Sequence, residues 1–104
     1  MSPPQSDAFK KAIADSKKLT AKPSNEQLLQ LYALFKTGTG EDFAKAPAPS
    51  MFDIKAKAKK NAWKAIVDEG ISAEEAQERY VELVEALKEE HGYDENKQPE
   101  AVGS

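Results

Sequence analysis

Apolar residues return along this chain in steps of three and four. Phe9, Ala12, Ile13 and Ser16 form the first such stripe, which predicts a helix from about Pro3 to Ser16. Ser2 followed by Pro3 fits a cap and a first helical residue, because proline's missing N–H costs nothing there. Lys17 and Lys18 suit the C-terminus, where cations offset the helix dipole. Pro23 then punctuates the chain, and Ser24 with Gln27 spells a capping box that starts a second helix. On that helix Leu28, Leu31, Tyr32 and Phe35 recur at helical spacing. Leu29 and Leu34 widen the apolar arc, so this helix is expected to touch two neighbours or a ligand. Lys36 lies just beyond, and Gly38 and Gly40 end the helix.

The stretch from Thr39 to Ser50 carries Pro47 and Pro49. It is long for a helix–helix connection, where about 2–8 residues are usual. It is therefore expected to span the bundle rather than join adjacent antiparallel helices. That span would let helices two and three diverge and leave a bowl between them. Asp53 is a good N-cap for helix three, whose buried face is predicted from Ile54, Ala58, Ala62, Ile66 and the flanking Trp63. Gly70 stops it. Ser72 and Glu75 read as a second capping box, and Ala76, Tyr80, Leu83, Val84 and Leu87 stripe helix four inward while glutamates coat its outer side. Gly92 ends helix four. No strand pattern occurs. The segment from Asp94 to Ser104 is polar and aperiodic, a composition expected to stay disordered. The reading is one all-α domain of four helices over residues 1–92 and a polar tail over 93–104.

Composition narrows the function classes. The chain has 104 residues, room for one modest core. It is 39% hydrophobic and 32% charged, as in an ordinary globular protein. No stretch approaches the roughly 18 apolar residues of a membrane span, and the N-terminus lacks a basic region followed by an apolar one, so no secretory signal is expected. Cysteine is absent, which excludes disulfides, zinc knuckles and thiol nucleophiles together. A cytoplasmic address and no stable membrane insertion follow as expectations. The net charge of -3 argues against nucleic acid as a partner. That average hides Lys55, Lys57, Lys59 and Lys60 close together, with Glu74, Glu75, Glu78, Glu82, Glu85, Glu89 and Glu90 gathered later. A local basic face on an acidic chain suggests an anion held at one place.

Catalytic signals are weak. The single histidine, His91, sits beside Gly92 at a helix end and reads as a C-terminal cap rather than a catalyst or metal ligand. No Ser/His/Asp or Cys/His set can be assembled, and the carboxylates of helix four read as a solvated face. Gly38-Thr39-Gly40 is no phosphate loop, since no lysine–serine pair follows it and no strand precedes it. No catalytic residue, metal site or cofactor is expected. The informative set is basic and aromatic. Tyr32 and Lys36 are four apart on helix two, as are Lys55 and Lys59 on helix three. Lys59 adjoins the apolar edge of Ala58, Ala62 and Trp63. Tyrosine offers a flat apolar face and a hydroxyl; lysine binds phosphate as a point charge. Such a set would suit a nucleotide joined to a hydrophobic tail. Taken alone, plain core packing of Tyr32 and Tyr80, and a solvated face for the lysines, are the simpler explanation of the same residues.

Four stretches tip the balance. They are Phe9 through Pro23, the run Leu28-Leu29-Gln30-Leu31-Tyr32-Ala33-Leu34-Phe35-Lys36, the run Met51-Phe52-Asp53-Ile54-Lys55-Ala56-Lys57-Ala58-Lys59-Lys60-Asn61-Ala62-Trp63, and Ala76-Gln77-Glu78-Arg79-Tyr80-Val81. In this order and spacing the chain resembles the acyl-CoA-binding protein family. The resemblance implies an up-down-down-up four-helix bundle with a ligand bowl, and non-covalent binding of medium- to long-chain fatty acyl-CoA esters by an intracellular carrier and pool former. By position, it implies that Tyr32, Lys36 and Lys59 hold the adenosine 3′-phosphate and adenine. Lys17 and Lys55 would add basic contacts around the head group, Phe35 and Tyr80 would line the site, and Ile13, Leu28 and Leu29 would line the acyl path. It implies a monomer making transient contacts with acyl-CoA-using enzymes. The chain departs from the family pattern at Lys60-Asn61, where an aromatic and then an acidic residue are usual. It departs also at Phe35, usually tyrosine, at Ser50, usually glycine, in a longer turn between helices three and four, and in its acidic tail.

Rival readings are a helical protein-interaction domain with the same fold and a degenerate pocket, an enzyme on CoA substrates, and a nucleic-acid binder through Lys55–Lys60. The tail lacks the apolar residues that would offset its ordering entropy. A chain truncated after Tyr93 should therefore keep its melting temperature by circular dichroism; a large drop would show that the tail docks.

Overall fold

The computed structural model describes residues 4–46 and 52–96. It has four α-helices, α1 (Asp7–Ser16), α2 (Asn25–Gly38), α3 (Ile54–Glu69) and α4 (Ala73–His91), with a short 3-10 turn at Phe43–Lys45. The fold is all-α. The one extended pairing among the described residues is an isolated antiparallel bridge between Leu19 and Tyr93.

Contacts along α4 fix the directions. Gln77 near its start accepts from the Ser6 backbone N–H at 3.1 Å, and Lys88 near its end pairs with Asp15 at 2.7 Å. So α1 runs parallel to α4. Gln77 Nε2 donates to the Gly38 carbonyl at 2.9 Å, and Glu90 accepts from Gln27 at 2.9 Å, so α2 runs antiparallel to it. The short link 70–72 returns the chain from the end of α3 to the start of α4, where Arg79 pairs with Glu69 at 2.9 Å. α3 therefore points the same way as α2, and the order is up-down-down-up. The core cluster, including Phe9, Ala12, Leu31, Leu34, Ala76, Tyr80, Val84 and Leu87, lies where α1 and α2 meet α4.

Local chemistry sets the helix ends. Ser24 accepts from the Gln27 backbone N–H at 3.2 Å while Gln27 Oε1 accepts from the Ser24 N–H at 2.9 Å, a complete capping box. Asp53 caps α3 by accepting from Ala56 N–H at 3.0 Å. At α4, Ser72 accepts from Glu75 N–H at 3.1 Å, but the Glu75 carboxylate turns to Arg79, so only half of the expected box forms. Gly38 is buried where α2 crosses α4. A Cβ there would come within 3.1 Å of Gln77 Cγ and 3.3 Å of Phe9 Cζ, so a larger residue would require both side chains to give way by a few tenths of an ångström.

Three expectations need correction. α1 begins at Asp7, not near Pro3. Ser6 is the cap, accepting from Phe9 N–H at 3.1 Å, and Gln77 binds both the Ser6 N–H and the Pro4 carbonyl, holding that segment extended against α4. The Ser2–Pro3 cap lies outside the described residues. Ile54 is 80% exposed rather than buried. It opens the first turn of α3, a helix whose helical neighbours are α2 and the 3-10 turn alone, and Trp63 is its one buried residue. Finally, α2 and α3 do not diverge. They pack side by side, and the connection spans the bundle because the two run parallel, with its Pro47, Pro49 and Ser50 outside the described residues. Residues 97–104 of the tail also lie outside, whereas Tyr93 and Asp94 reach α1 and the link after it. Asp94 N–H donates to the Lys18 carbonyl at 3.1 Å.

One buried acid ties this end together. Asp15 is 5% exposed. It accepts from Lys11 and Lys88 at 2.7 Å each and from the Tyr93 hydroxyl at 2.9 Å. Burial pushes its carboxyl up, but the three hydrogen bonds outweigh that and hold its pKa at about 2, below the usual 3.8. A depressed carboxylate contributes stability above its unfolded pKa and loses it as pH falls through the folded one. Asp15 should thus contribute about 2 kcal/mol above pH ~5, lost progressively as pH falls through about 2. Urea unfolding across this range should show the stability gap between wild type and Asp15→Asn closing as pH falls; a constant gap would refute it.

Candidate functional site: a basic cleft between α2, α3 and their connection

A cleft of about 580 Å³ opens where the connection folds over the α2–α3 seam, within the range of small-molecule sites. α2 supplies Tyr32 and Lys36, one turn apart on the same face. From α3 come Ala56, Lys59, Lys60 and Trp63. The connection closes the rim with Glu41, Asp42, Lys45 and Ala46.

Aromatic rings make the floor and ammonium groups the rim. Trp63 is 3% exposed and is the large side chain that seats α3 on α2. Its ring meets Tyr32 edge to face at 6.5 Å and Phe43 of the 3-10 turn at 5.1 Å. Lys36 Nζ lies 5.6 Å from the Tyr32 ring centre and 5.9 Å from that of Trp63; Lys59 Nζ lies 5.5 Å from Tyr32. These are cation–π distances. Lys60 lies 5.3 Å from the Phe43 ring and 3.5 Å from the Ala46 carbonyl, tying α3 to the connection. Four lysines face two carboxylates at the rim of a chain whose net charge is -3. The local field favours an anion. The Trp63 indole N–H is buried and has no hydrogen-bond partner among the described residues, which is uncommon for a buried donor.

Of the residues singled out in the sequence, the structure brings Tyr32, Lys36 and Lys59 together here. The others lie elsewhere. Tyr80 sits in the core at 4% exposure, edge-on to Phe9 at 5.2 Å, and its hydroxyl donates to Ser16 Oγ at 3.3 Å. Burial raises its pKa above the usual phenol value. Phe35 is half-buried between Phe9 and Tyr80, with ring centres at 6.3 and 6.4 Å. Ile13 and Leu28 are half-buried and pack against the same core; Leu29 is half-buried on α2. Lys17 is the half-buried C-cap of α1, and Lys55 is exposed in the first turn of α3. At the far end of α4, His91 Nε2 donates a 2.9 Å hydrogen bond to Gln27 Oε1.

A model of the family described as acyl CoA binding protein matches residues 6–84. The chain belongs to that family. An acyl-CoA-binding protein homolog 1 of Caenorhabditis elegans is 46% identical over 85 residues, covering 82% of this chain and 95% of the relative. An acyl-CoA-binding protein of Dictyostelium discoideum is 44% identical over 76% of this chain and 90% of its own length. One from Brassica napus is 44% identical over 78% and 85% respectively.

Within this acyl-CoA-binding protein family member, sequence reasoning missed what the connection contributes. Phe43, Lys45 and Glu41 fall in a stretch without helical periodicity, so nothing placed them beside α3. The available signal was Gly40-Glu41 directly after α2, a helix-stop pattern that returns the chain to Lys36. Trp63 is the anchor of the site. Trp63→Ala should cost about 3–5 kcal/mol if the wall of the cleft does not collapse; urea unfolding followed by circular dichroism measures it, and a loss under 1 kcal/mol would show that α3 is held in some other way.

Proposed function

We propose that this chain is a non-catalytic carrier that binds medium- to long-chain fatty acyl-CoA esters and keeps them as an exchangeable pool. The observation that carries the reading is the meeting of Lys36 and Lys59 over the Tyr32 ring in a basic cleft, supported by family membership and by relatives named acyl-CoA-binding proteins. In this reading the two ammoniums take the 3′-phosphate, each as a point charge with several donors, and Tyr32 and Trp63 give the adenine an apolar bed. Lys17 and Lys55 act at longer range on the head group.

The acyl chain needs an apolar path. α1 and α2 both pack on α4 and meet each other through the Phe9–Phe35 ring contact rather than along their backbones. Ile13 and Leu28 are half-buried on these two helices. A tail laid along this seam would cover them and Leu29, gaining up to about 0.8 kcal/mol per buried methylene. Phe35 and Tyr80 back the seam from within. The head group, lying across the tail, would shield it from water. The carrier works as a cytoplasmic monomer that hands its ligand to acyl-CoA-using enzymes by transient contact. No helix among the described residues is long and apolar enough to cross a membrane.

Calorimetric titration with acyl-CoA esters of increasing length tests the reading. Affinity should rise with length until the seam is full, and CoA alone should bind far more weakly; equal affinity for CoA and palmitoyl-CoA would sink it. Lys59→Ala should weaken palmitoyl-CoA about ten- to a hundredfold, since a charged hydrogen bond is worth about 1.5–3 kcal/mol. Lys57→Ala, an exposed position outside the cleft, should change little. The Lys59 effect should shrink sharply with dephospho-CoA esters. Equal losses in the two variants would remove the assignment of Lys59 to the phosphate.

A further inference from the structure

The cleft already contains a competitor for its own ligand. Lys36 Nζ lies 2.9 Å from Glu41 Oε2 and 3.0 Å from Glu41 Oε1. The backbone puts the carboxylate there. α2 ends at Gly38 with Thr39 as its cap, and Gly40 follows with a φ of 73, in the left-handed region. Gly40 N–H donates to the Thr37 carbonyl at 3.1 Å, and Glu41 N–H donates to the Lys36 carbonyl at 3.2 Å. This pair of bonds is the Schellman arrangement, which wraps the residue after the glycine back onto the last helical turn. Glu41 thus engages Lys36 twice, once through the main chain and once through the side chain. The side chains are 25% exposed for Lys36 and 46% exposed for Glu41, so the pair sits at the rim, where an incoming ligand meets it.

We propose that Glu41 is a built-in counter-ion that competes with the ligand's 3′-phosphate for Lys36 and sets how tightly this chain holds its cargo. The proposal rests on the reading above that Lys36 takes that phosphate. An ammonium has three donors, and the two Glu41 oxygens occupy its neighbourhood. A phosphate monoester carries about -1.5 to -2 charge near neutral pH, so it cannot share the ammonium with a carboxylate at contact distance without repulsion. Binding therefore swings the Glu41 side chain outward, while the main-chain bond to Lys36 stays. Half-exposed pairs of this kind are worth up to about fivefold in an equilibrium constant. That is enough to loosen the ligand without abolishing its binding, and affinity changes of this size act mainly on the dissociation rate. Among the described residues, neither acid of the cleft pairs with Lys59: Glu41 is held by Lys36, and Asp42 caps the Ala44 N–H at 2.9 Å.

The test uses the full chain and the single substitution Glu41→Gln, which keeps the shape and removes the charge. Titrations with palmitoyl-CoA and with its dephospho analogue should show the phosphorylated ester binding about three- to fivefold tighter than to wild type, with the dephospho ester changed less than twofold. Glu41→Ala should move the same way, excluding a new hydrogen bond from the glutamine. Glu89→Gln, an exposed position near the opposite end of α4, makes the same change in net charge and should leave both ligands unaffected. An unchanged ratio between the two esters in Glu41→Gln overturns the proposal. So does an equal gain in Glu89→Gln, which would indicate a long-range charge effect, and so does weaker binding, which would make Glu41 a support for Lys36. If wild type itself fails to distinguish the two esters, the phosphate reading falls and takes this proposal with it; if wild type distinguishes them and Glu41→Gln does not alter the ratio, the competition alone falls.

Discussion

α2 is packed on two sides, and the rest of the molecule follows from that. Leu31 and Leu34 are buried toward α4, which commits one face of the helix to the core. Helical geometry then turns Tyr32 and Lys36 to a different side. That side is where α3 docks, through Trp63. Because α2 and the short 3-10 turn are the only helical elements packed along α3 among the described residues, its lysines are left along an open edge instead of being folded inward. The connection must run back along the bundle, since α2 and α3 are parallel, and on its way it deposits the 3-10 turn over the seam. A cleft with an aromatic floor and a basic rim is the geometric result of one helix serving two partners.

Much of this was legible in the residues. The Ser24–Gln27 box, the Asp53 cap, the stop at Gly70 and the stripe Ala76, Tyr80, Val84 and Leu87 each have a local cause, either a hydrogen bond between neighbours in sequence or a 3.6-residue period. The meeting of Tyr32, Lys36 and Lys59 was reached through the family pattern, since their spacing alone was better explained by core packing and a solvated face. Failures have a common cause in contacts from far along the chain. The start of α1 is set by Gln77, more than seventy residues away, so Ser6 outcompeted the Pro3 start that local rules favoured. Ile54 fits the apolar period of α3, yet no element among the described residues covers it in the first turn of that helix. Glu41 lay in a stretch with no period, and its importance comes from the Schellman turn that folds it back.

Charge is divided between two ends of the molecule in different ways. At the junction of α1, α4 and Tyr93 a single carboxylate, Asp15, is buried and satisfied by three donors. Satisfaction is complete there, and the group acts as a clamp. At the cleft, cations outnumber carboxylates and stay near solvent. Incomplete neutralisation there is what gives the site its attraction for an anion. The same side-chain types therefore serve stability where they are matched and recognition where they are not.

Trp63 is the only tryptophan of the chain, and its indole lies with an ammonium 5.9 Å from its centre. An indole's excited state carries a larger dipole than its ground state, so its emission colour follows the electric field across the ring. A nearby positive charge imposes such a field, and neutralising that charge removes it. The residue that seats α3 is consequently an optical gauge of the cleft's electrostatics, wired into the fold with no label attached. Its colour would register the arrival of a negative charge at the rim even when the helices themselves do not move.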